Sequence, residues 1–269
     1  MLIPPLSVAR TCDGHKGSKR MDALIIAAGY GSRIGSISSS KPLTLVCDVP
    51  IIELSIRQAM LAGVTRVVVV TGHEADRLEA FLAELSVRLN IAIVPVRLSN
   101  WSTPNGHSVI AGATRCEGNY LLLMADHLFD VEILARLITE APTDCGLTLA
   151  IDRRVDSPLI DPEDATWVKI NDQGLIQAIG KTITDYDACD CGAFLATPEL
   201  APAIRAAIAS GKAGSLSEGV QILAQYNRAA TLDIDDAWWI DIDDPHYHAL
   251  AEETAPWHIA QSLADIGVA

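Results

Sequence analysis

The chain has 269 residues, 49% of them hydrophobic, and 34 acidic against 20 basic side chains give a formal net charge of −14. That length allows one large domain or two modest ones with a real core. The acidic balance argues against a binder of nucleic acid or anionic membrane, whose affinity comes from counterion release to Lys and Arg. Six cysteines spread thinly along the chain point to a reduced, cytoplasmic setting rather than a disulfide framework. No apolar run approaches the roughly 20 residues of a transmembrane helix.

Residues 1–20 carry Arg10, Lys16, Lys19 and Arg20 against Asp13 and show no hydrophobic periodicity. They read as a disordered leader, a targeting role being the alternative, with Met21 as the functional start and residues 21–269 as one domain. Ala23 to Ala28 is a continuous apolar run that stops at Gly29, as in a strand buried on both faces. A polar Gly/Ser loop leads to Pro50 and a helix over Ile51 to Ala62 that ends at Gly63. Arg66 to Thr71 is a second strand, Glu74 to Leu89 a helix, Ile91 to Val96 a third strand, and Ser108 to Thr114 a helix after Pro104-Asn105-Gly106. Tyr120 to Ala125 is a fourth strand that stops at Asp126, and Val131 to Glu140 is helical, with Asp130 as its capping residue.

Beyond residue 145 the alternation changes. Leu147 to Asp152, Thr166 to Ile170, Leu175 to Gly180 and Cys191 to Ala196 read as strands, the middle two joined by the turn Asn171-Asp172-Gln173-Gly174. Helices over Pro198 to Ser210 and Leu216 to Asn227 follow, then strands near Thr231 to Ile234 and Trp238 to Ile242, and a helix from Pro245. Trp257 and Leu263 mark the end of that helix as a packing element or a homodimer contact. The rhythm predicts an α/β fold, a Rossmann-like, mostly parallel mixed sheet flanked by helices.

The loop Ala27-Ala28-Gly29-Tyr30-Gly31-Ser32-Arg33-Ile34-Gly35 follows the first strand. Glycines let a backbone approach phosphate closely, and successive N–H groups make a concavity for an anion. The spacing is neither the dinucleotide fingerprint, which argues against a nicotinamide-dependent oxidoreductase, nor a P-loop. Arg33 and Lys41 flank the loop as two cations in an otherwise acidic protein.

Gly29-Tyr30-Gly31-Ser32-Arg33, Lys41-Pro42-Leu43 and Val49-Pro50 with Ile52-Glu53 together resemble the N-terminal motif of nucleotidyltransferases of the GT-A-like, nucleotide-diphospho-sugar transferase type. The resemblance implies that the loop, with Ala27, Ala28, Gly29, Gly31 and Ser32, cradles a nucleoside triphosphate. Arg33 would contact its phosphates and Lys41 would stabilise the reacting centre. Ser40 stands where the family has a proline before the lysine, and the stretch after Arg33 is altered. Both departures disfavour the hexose-phosphate branches and leave the two cations untouched.

A site built on a triphosphate needs a divalent cation, and Mg²⁺ takes carboxylate oxygens. Asp126 stands at the carboxyl end of a strand, where an open sheet binds ligands, and Asp126-His127 resembles the metal-binding segment of the family. Of the six aspartates between residues 233 and 244, Asp241 and Asp243 alternate with Ile240 and Ile242, which puts both carboxylates on one face. They resemble the closing segment that supplies the second metal ligand, Asp241 being the first choice and Asp243 the second. The histidines are scattered, and the one pair with metal spacing, His246 and His248, would face different sides of a helix and reads as solvated.

Asn105, Gly106 and Ser108 correspond to the family's base-reading loop; a plain turn and N-cap is the alternative reading of the same residues. Asp190 and Gly192 stand where the family lines its acceptor pocket, with Cys191 in place of a threonine, and Cys189 and Cys191 are too close together for a zinc pair. Lys181 is the candidate for the acceptor's phosphate. Glu218 either hydrogen-bonds acceptor hydroxyls or caps a helix. The whole resembles most closely the inositol-1-phosphate cytidylyltransferases, which implies transfer from CTP to a small alcohol phosphate, best 1L-myo-inositol 1-phosphate, with Mg²⁺. A separate membrane CDP-alcohol phosphotransferase would then use the product. The alternatives are a phosphocholine or aminoalkylphosphonate cytidylyltransferase, with Trp101, Trp238, Trp239 and Tyr247 as a cage for a quaternary amine, another sugar-phosphate nucleotidyltransferase, and a non-catalytic nucleotide-binding sensor.

Overall fold

The computed structural model describes residues 20–35 and 37–264; residues 1–19, where the leader was expected, lie outside them. The chain runs β1 (Asp22–Ala27), β2 (Leu45–Val46), β3 (Val49–Pro50), α1 (Ile51–Leu61), β4 (Arg66–Thr71), α2 (Ala75–Leu89), β5 (Ala92–Arg97) and α3 (Asn105–Ala113). It continues through β6 (Tyr120–Met124), β7 (His127–Phe129), α4 (Val131–Glu140), β8 (Leu147–Asp152), β9 (Trp167–Ile170), β10 (Ile176–Gly180) and β11 (Ala188–Ala196). The closing elements are α5 (Leu200–Ala209), α6 (Leu216–Gln225), β12 (Ala229–Asp233), β13 (Trp239–Asp241), α7 (Pro245–His258) and α8 (Ala260–Ala264).

Nine strands form the main sheet in the order β10-β9-β11-β6-β1-β4-β5, with β8 joined to β11 and β12 to β8. The strands β6, β1, β4 and β5 run parallel, and β11 is antiparallel to β6, β8 and β9. The apolar run of β1 is explained by its position. Ala23, Ile25 and Ala27 face one hydrophobic cluster while Leu24 and Ile26 face another, so every side chain is covered by a helical layer. Strand β11 is the seam between the parallel half and the C-terminal half. Its Phe194 is 1% exposed and pairs with Leu122 on one side and Leu149 on the other.

A second, two-stranded ribbon matters most for the site. β13 pairs antiparallel with β7, setting Trp239 opposite Phe129 and Asp241 opposite His127. Ile240 and Ile242 turn inward to a third cluster with Ile34, Leu128 and Ala251. The expected alternation therefore holds, although the strand stops at Asp241 and Asp243 lies just past its end. That third cluster also fastens α7 against the glycine loop through Ile34.

Two local expectations change. Helix α3 begins at Asn105, three residues before the expected Ser108, with Pro104 in its N-cap position. Asp130 occupies the N-cap position of α4 without a side-chain cap. Its carboxylate instead accepts the Trp238 N–H at 2.8 Å and pairs with His258 at 2.9 Å, tying α4 to the end of the chain. The exposed Trp257 and partly buried Leu263 diverge, for only Leu263 packs against the third cluster.

Truncating the seam residue tests this packing. Phe194→Ala is expected to cost about 3–5 kcal/mol, the usual loss for a buried Phe, read as a lower urea midpoint at unchanged slope. A loss below about 1 kcal/mol would show that β11 is not the seam.

Candidate active site

Lys41 enters the site from the 3-10 turn Lys41–Leu43. Its stem passes directly over Gly31, where an added Cβ would lie 2.6 Å from Lys41 Cβ and where φ is +63°. Glycine is thus needed there both for space and for backbone conformation. The ammonium reaches Asp126 Oδ2 at 2.5 Å and also pairs with Asp243 Oδ1. Burial opposes its charge, but Asp126, Asp241 and Asp243 outweigh that and raise its pKa, so Lys41 stays protonated. Arg33, half-exposed, donates to Asp164 Oδ2 at 2.9 Å and to Asp243.

The carboxylates answer to the same charges. Burial alone would raise the Asp126 pKa, yet Lys41 and His127 hold it well below the usual range. His127 Nδ1 lies 2.7 Å from Asp126 Oδ1 and 3.5 Å from Asp241 Oδ1. Desolvation works against the imidazolium, but Asp241 and Asp126 lift its pKa to about 9. Asp241 is pushed up to about 7, mainly by burial, with His127 and Lys41 pulling the other way. Its Oδ1 is buried without a hydrogen-bond partner among the described residues. One ligand atom each from Asp126, His127 and Asp241 lies within 4.8 Å of the others, and so does a set from Asp164, Asp241 and Asp243.

Two cavities meet at this cluster, and both are lined by Asp126 and Asp243. One, of about 300 Å³, is walled by Ala27, Gly29, Gly31, Arg33 and Lys41. Ala28 is buried and outside the lining, its carbonyl accepting the His73 N–H at 3.0 Å, and Ser32 falls in the same 3-10 turn as Arg33. The other, of about 210 Å³, lies between the β7–β13 ribbon and the loop from residue 153 to residue 166 and is lined by Asp161, Asp164, Lys181, Asp190, Gly192, Trp239 and Tyr247 among others. Gly192, at φ +78°, lets β11 pass the His127 ring, since a Cβ would fall 2.5 Å from the imidazole Cδ2. Asp190 accepts the Gly192 N–H at 2.8 Å, and burial raises its pKa to about 6. Lys181 pairs with Asp164.

Of the expected residues, then, Arg33, Lys41, Asp126, Asp241, Asp243, Lys181, Asp190 and Gly192 converge. Four do not behave as expected. Asn105 lines the second cavity rather than the first, and its Oδ1 accepts the Leu216 N–H at 2.8 Å. Gly106 packs against the Gly214 carbonyl and Ser108 is buried, so this segment joins α3 to α5 and α6. Glu218 completes a capping box with Ser215 and accepts the Gly214 N–H at 2.7 Å, which commits its carboxylate to the start of α6. The aromatic cage of the alternative, quaternary-amine reading is not assembled either. Trp238 is buried and stacks on His258 at 4.7 Å, and Trp101 packs near Tyr30 and His73, which leaves Trp239 and Tyr247 in the cavity.

Asp164 goes unread in the sequence, and His127 is read only as part of the Asp126-His127 segment, without a role of its own. His127 has no metal-like spacing to another histidine, but its place directly after Asp126 at a strand end was the available signal. Asp164 sits on a long connection whose length, between β8 and β9, marks a functional loop.

Fixed cations on a glycine loop, facing carboxylates across two joined cavities, are the equipment of an enzyme that moves nucleotidyl groups. Residues 23–229 match the MobA-like NTP transferase domain, and the chain belongs to that family. It is 26% identical over 238 residues to the bifunctional IPC transferase and DIPP synthase of Rubrobacter xylanophilus, covering 88% of this chain and 52% of that protein. The protein of the same name from Aquifex aeolicus is 25% identical over 226 residues, 83% of this chain and 49% of its own length. The chain therefore spans about half the length of the curated relatives it matches. Among solved structures, the inositol-1-phosphate CTP transferase from T. maritima superposes with a TM-score of 0.78 at 22% identity, covering 93% of this chain and 98% of that one. UDP-glucose pyrophosphorylase follows at 0.72 and 16%, covering 88% and 98%. These likenesses establish the fold.

The His127 shift has a testable sign in chelator-treated protein. Its folded pKa of about 9 lies above the ordinary 6.5, so its stabilising contribution is complete below about pH 6.5 and is lost as pH rises through 9. The melting-temperature gap between wild type and His127→Gln is expected to shrink over that window. A gap that stays constant would refute the charged imidazolium.

Proposed function

We propose that the chain is a cytidylyltransferase, a single domain from residue 21 onward. It joins CTP to a small alcohol phosphate, best 1L-myo-inositol 1-phosphate, to give CDP-inositol and pyrophosphate. The observation that carries this is the pair of cavities sharing Asp126 and Asp243, one built for phosphates by the glycine loop, Arg33 and Lys41, the other open to a second substrate beside Lys181. The relatives named IPC transferase, and the fold shared with a protein named inositol-1-phosphate CTP transferase, support the same choice.

In this reading a phosphate oxygen of the acceptor attacks the α-phosphorus of CTP in line. The bond to the β-phosphate oxygen breaks, and pyrophosphate leaves. The attacking oxygen is already anionic, so no base is required. The permanently charged Lys41 and Arg33 offset the charge that gathers on the phosphoryl oxygens, a contribution of position and electrostatics. Lys181 meets the acceptor's phosphate.

A divalent cation fits the residues present. The donors are carboxylate oxygens, as Mg²⁺ prefers, and the buried Oδ1 of Asp241 has no hydrogen-bond partner among the described residues. Asp126 and Asp241, with Asp243, would hold Mg²⁺, which when bound neutralises triphosphate charge. His127 then serves to orient and balance Asp126 and Asp241.

The second cavity also favours a polyol. Asp161, Asp164 and Asp190 line it with acceptors suited to hydroxyl donors, and the separated tryptophans offer no cage for a quaternary amine.

Pyrophosphate release with a panel of nucleotides and acceptors tests the reading. CTP with inositol 1-phosphate is expected to be the best pair, with turnover abolished by chelation. Lys41→Ala and Asp126→Ala are each expected to lower kcat by about 10²–10³-fold, as loss of one preorganised charge does. Turnover with phosphocholine but not inositol 1-phosphate would overturn the acceptor; an unchanged rate in Asp126→Ala would overturn the metal assignment.

A further inference from the structure

A third cavity, of about 550 Å³, opens between the C-terminal turns of α1 and α2 and helix α8. It shares no lining residue with the two cavities of the candidate active site. Its size falls within the usual range of small-molecule sites, about 300–1,000 Å³. Met60, Leu61 and Leu89 give it an apolar wall, and Arg57, Arg88 and Ser262 a polar one. One buried carboxylate sets the charge of the polar wall. Glu53, 2% exposed, accepts from Arg57 Nε at 3.0 Å and from Arg57 Nη2 at 2.8 Å through a single oxygen. Arg88 donates to both Glu53 oxygens, at 2.6 and 2.7 Å. Burial works against the carboxylate, but Arg88 and Arg57 hold its pKa below the ordinary value, so it is ionised. The two guanidiniums thus share one carboxylate and keep one positive charge in excess, in a protein of net charge −14. Each also keeps a nitrogen that Glu53 does not take, Nη1 of Arg57 and Nε of Arg88. Ser262 is 2% exposed, and its Oγ has no hydrogen-bond partner among the described residues. A buried polar atom left in that state is one that a ligand or an ordered water satisfies.

This balance selects the occupant. The carbonyl ends of α1 and α2 add partial negative charge nearby, so the excess suits one anionic charge better than the several of a nucleotide. The apolar wall, with Leu61 46% exposed, suits a hydrocarbon or ring body attached to that charge. Helix α1 also ties the cavity to the candidate active site. One residue beyond Arg57, the buried Gln58 amide donates to the Phe129 carbonyl at 2.6 Å and accepts the Phe129 N–H at 3.3 Å. One turn earlier, Ser55 Oγ lies 3.4 Å from the His127 carbonyl. A single helix therefore runs from the cavity to β7, the strand that carries His127. We infer that the cavity binds a small amphipathic monoanion and that α1 passes its occupancy to β7. The inference stands apart from the nucleotidyl-transfer reading, since neither binding nor the response of β7 requires turnover.

Fluorescence titration of the full chain with anilinonaphthalene sulfonate, an apolar ring system bearing one negative charge, tests the cavity. A single site is expected, from which octanoate displaces the dye. Octanol, with the chain but no charge, acetate, with the charge but no chain, and Mg·CTP are expected to leave the dye in place. Arg88→Gln is expected to weaken dye binding about tenfold, as loss of one charge-assisted hydrogen bond does. Leu61→Glu, at the exposed end of α1, is expected to abolish binding by repelling the anion, with a melting temperature near that of wild type. Octanoate is expected to slow amide exchange at Phe129 in wild type and to leave it unchanged in Leu61→Glu. Dye binding that is the same in both variants, or that yields to octanol, acetate or Mg·CTP as readily as to octanoate, overturns the site. Phe129 exchange that does not respond to octanoate overturns the passage along α1. Cosedimentation of wild type, but not Leu61→Glu, with vesicles of anionic lipid would give the cavity to a membrane surface and overturn the small-molecule occupant.

Discussion

The Lys41 ammonium is buried between Asp126 and Asp243, carboxylates that come from the middle of the chain and from its C-terminal part. Much of the surrounding structure is a condition for that contact. Gly31 clears the path of the lysine stem, and the end of β6 presents Asp126. The β7–β13 ribbon, with the apolar Ile240 and Ile242 turned into the core, carries the chain to Asp243. A buried pair stripped of one partner leaves an uncompensated charge, which costs far more than the intact pair contributes. The site is therefore interlocked, each ion depending on elements distant in sequence.

That dependence also decides what could be read from sequence. β1 and β6 were legible because burial on both faces writes a continuous apolar run, and Asp126 because it interrupts one at a strand end. Asp241 and Asp243 were legible through their alternation with isoleucines. The helix start at Asn105 was not, because Asn and Gly are turn formers on local grounds and only the packing of α3 against α5 and β1 settles the matter. The same holds for Glu218, where a capping box and an acceptor contact present identical spacing until the partner atoms are known. His127 acquires its importance from Asp241, more than a hundred residues away, and Asp164 from Arg33, at a comparable remove. No local pattern records either pairing.

The net charge of −14 now has a more particular meaning. Asp126, Asp164, Asp241 and Asp243 are gathered in one place and faced by Arg33, Lys41, Lys181 and His127. The protein as a whole repels long polyanions, while at this point positive groups stand ready for a compact one. Global charge governs approach, and local arrangement governs what can stay.

The same balance bears on the form in which a nucleotide can bind. For Lys41 and Arg33 to turn to phosphate oxygens, they must loosen contacts with Asp126, Asp164 and Asp243. Those carboxylates are held close together and partly desolvated, so losing their cations to a bare triphosphate would leave like charges facing one another with a further anion added. Exchange becomes favourable when the incoming anion brings a counter-charge of its own to the oxygens that Lys41 leaves. On the proposed function, the acidic cluster and the basic loop are two halves of one requirement, which a metal-chelated triphosphate would meet and neither component alone would.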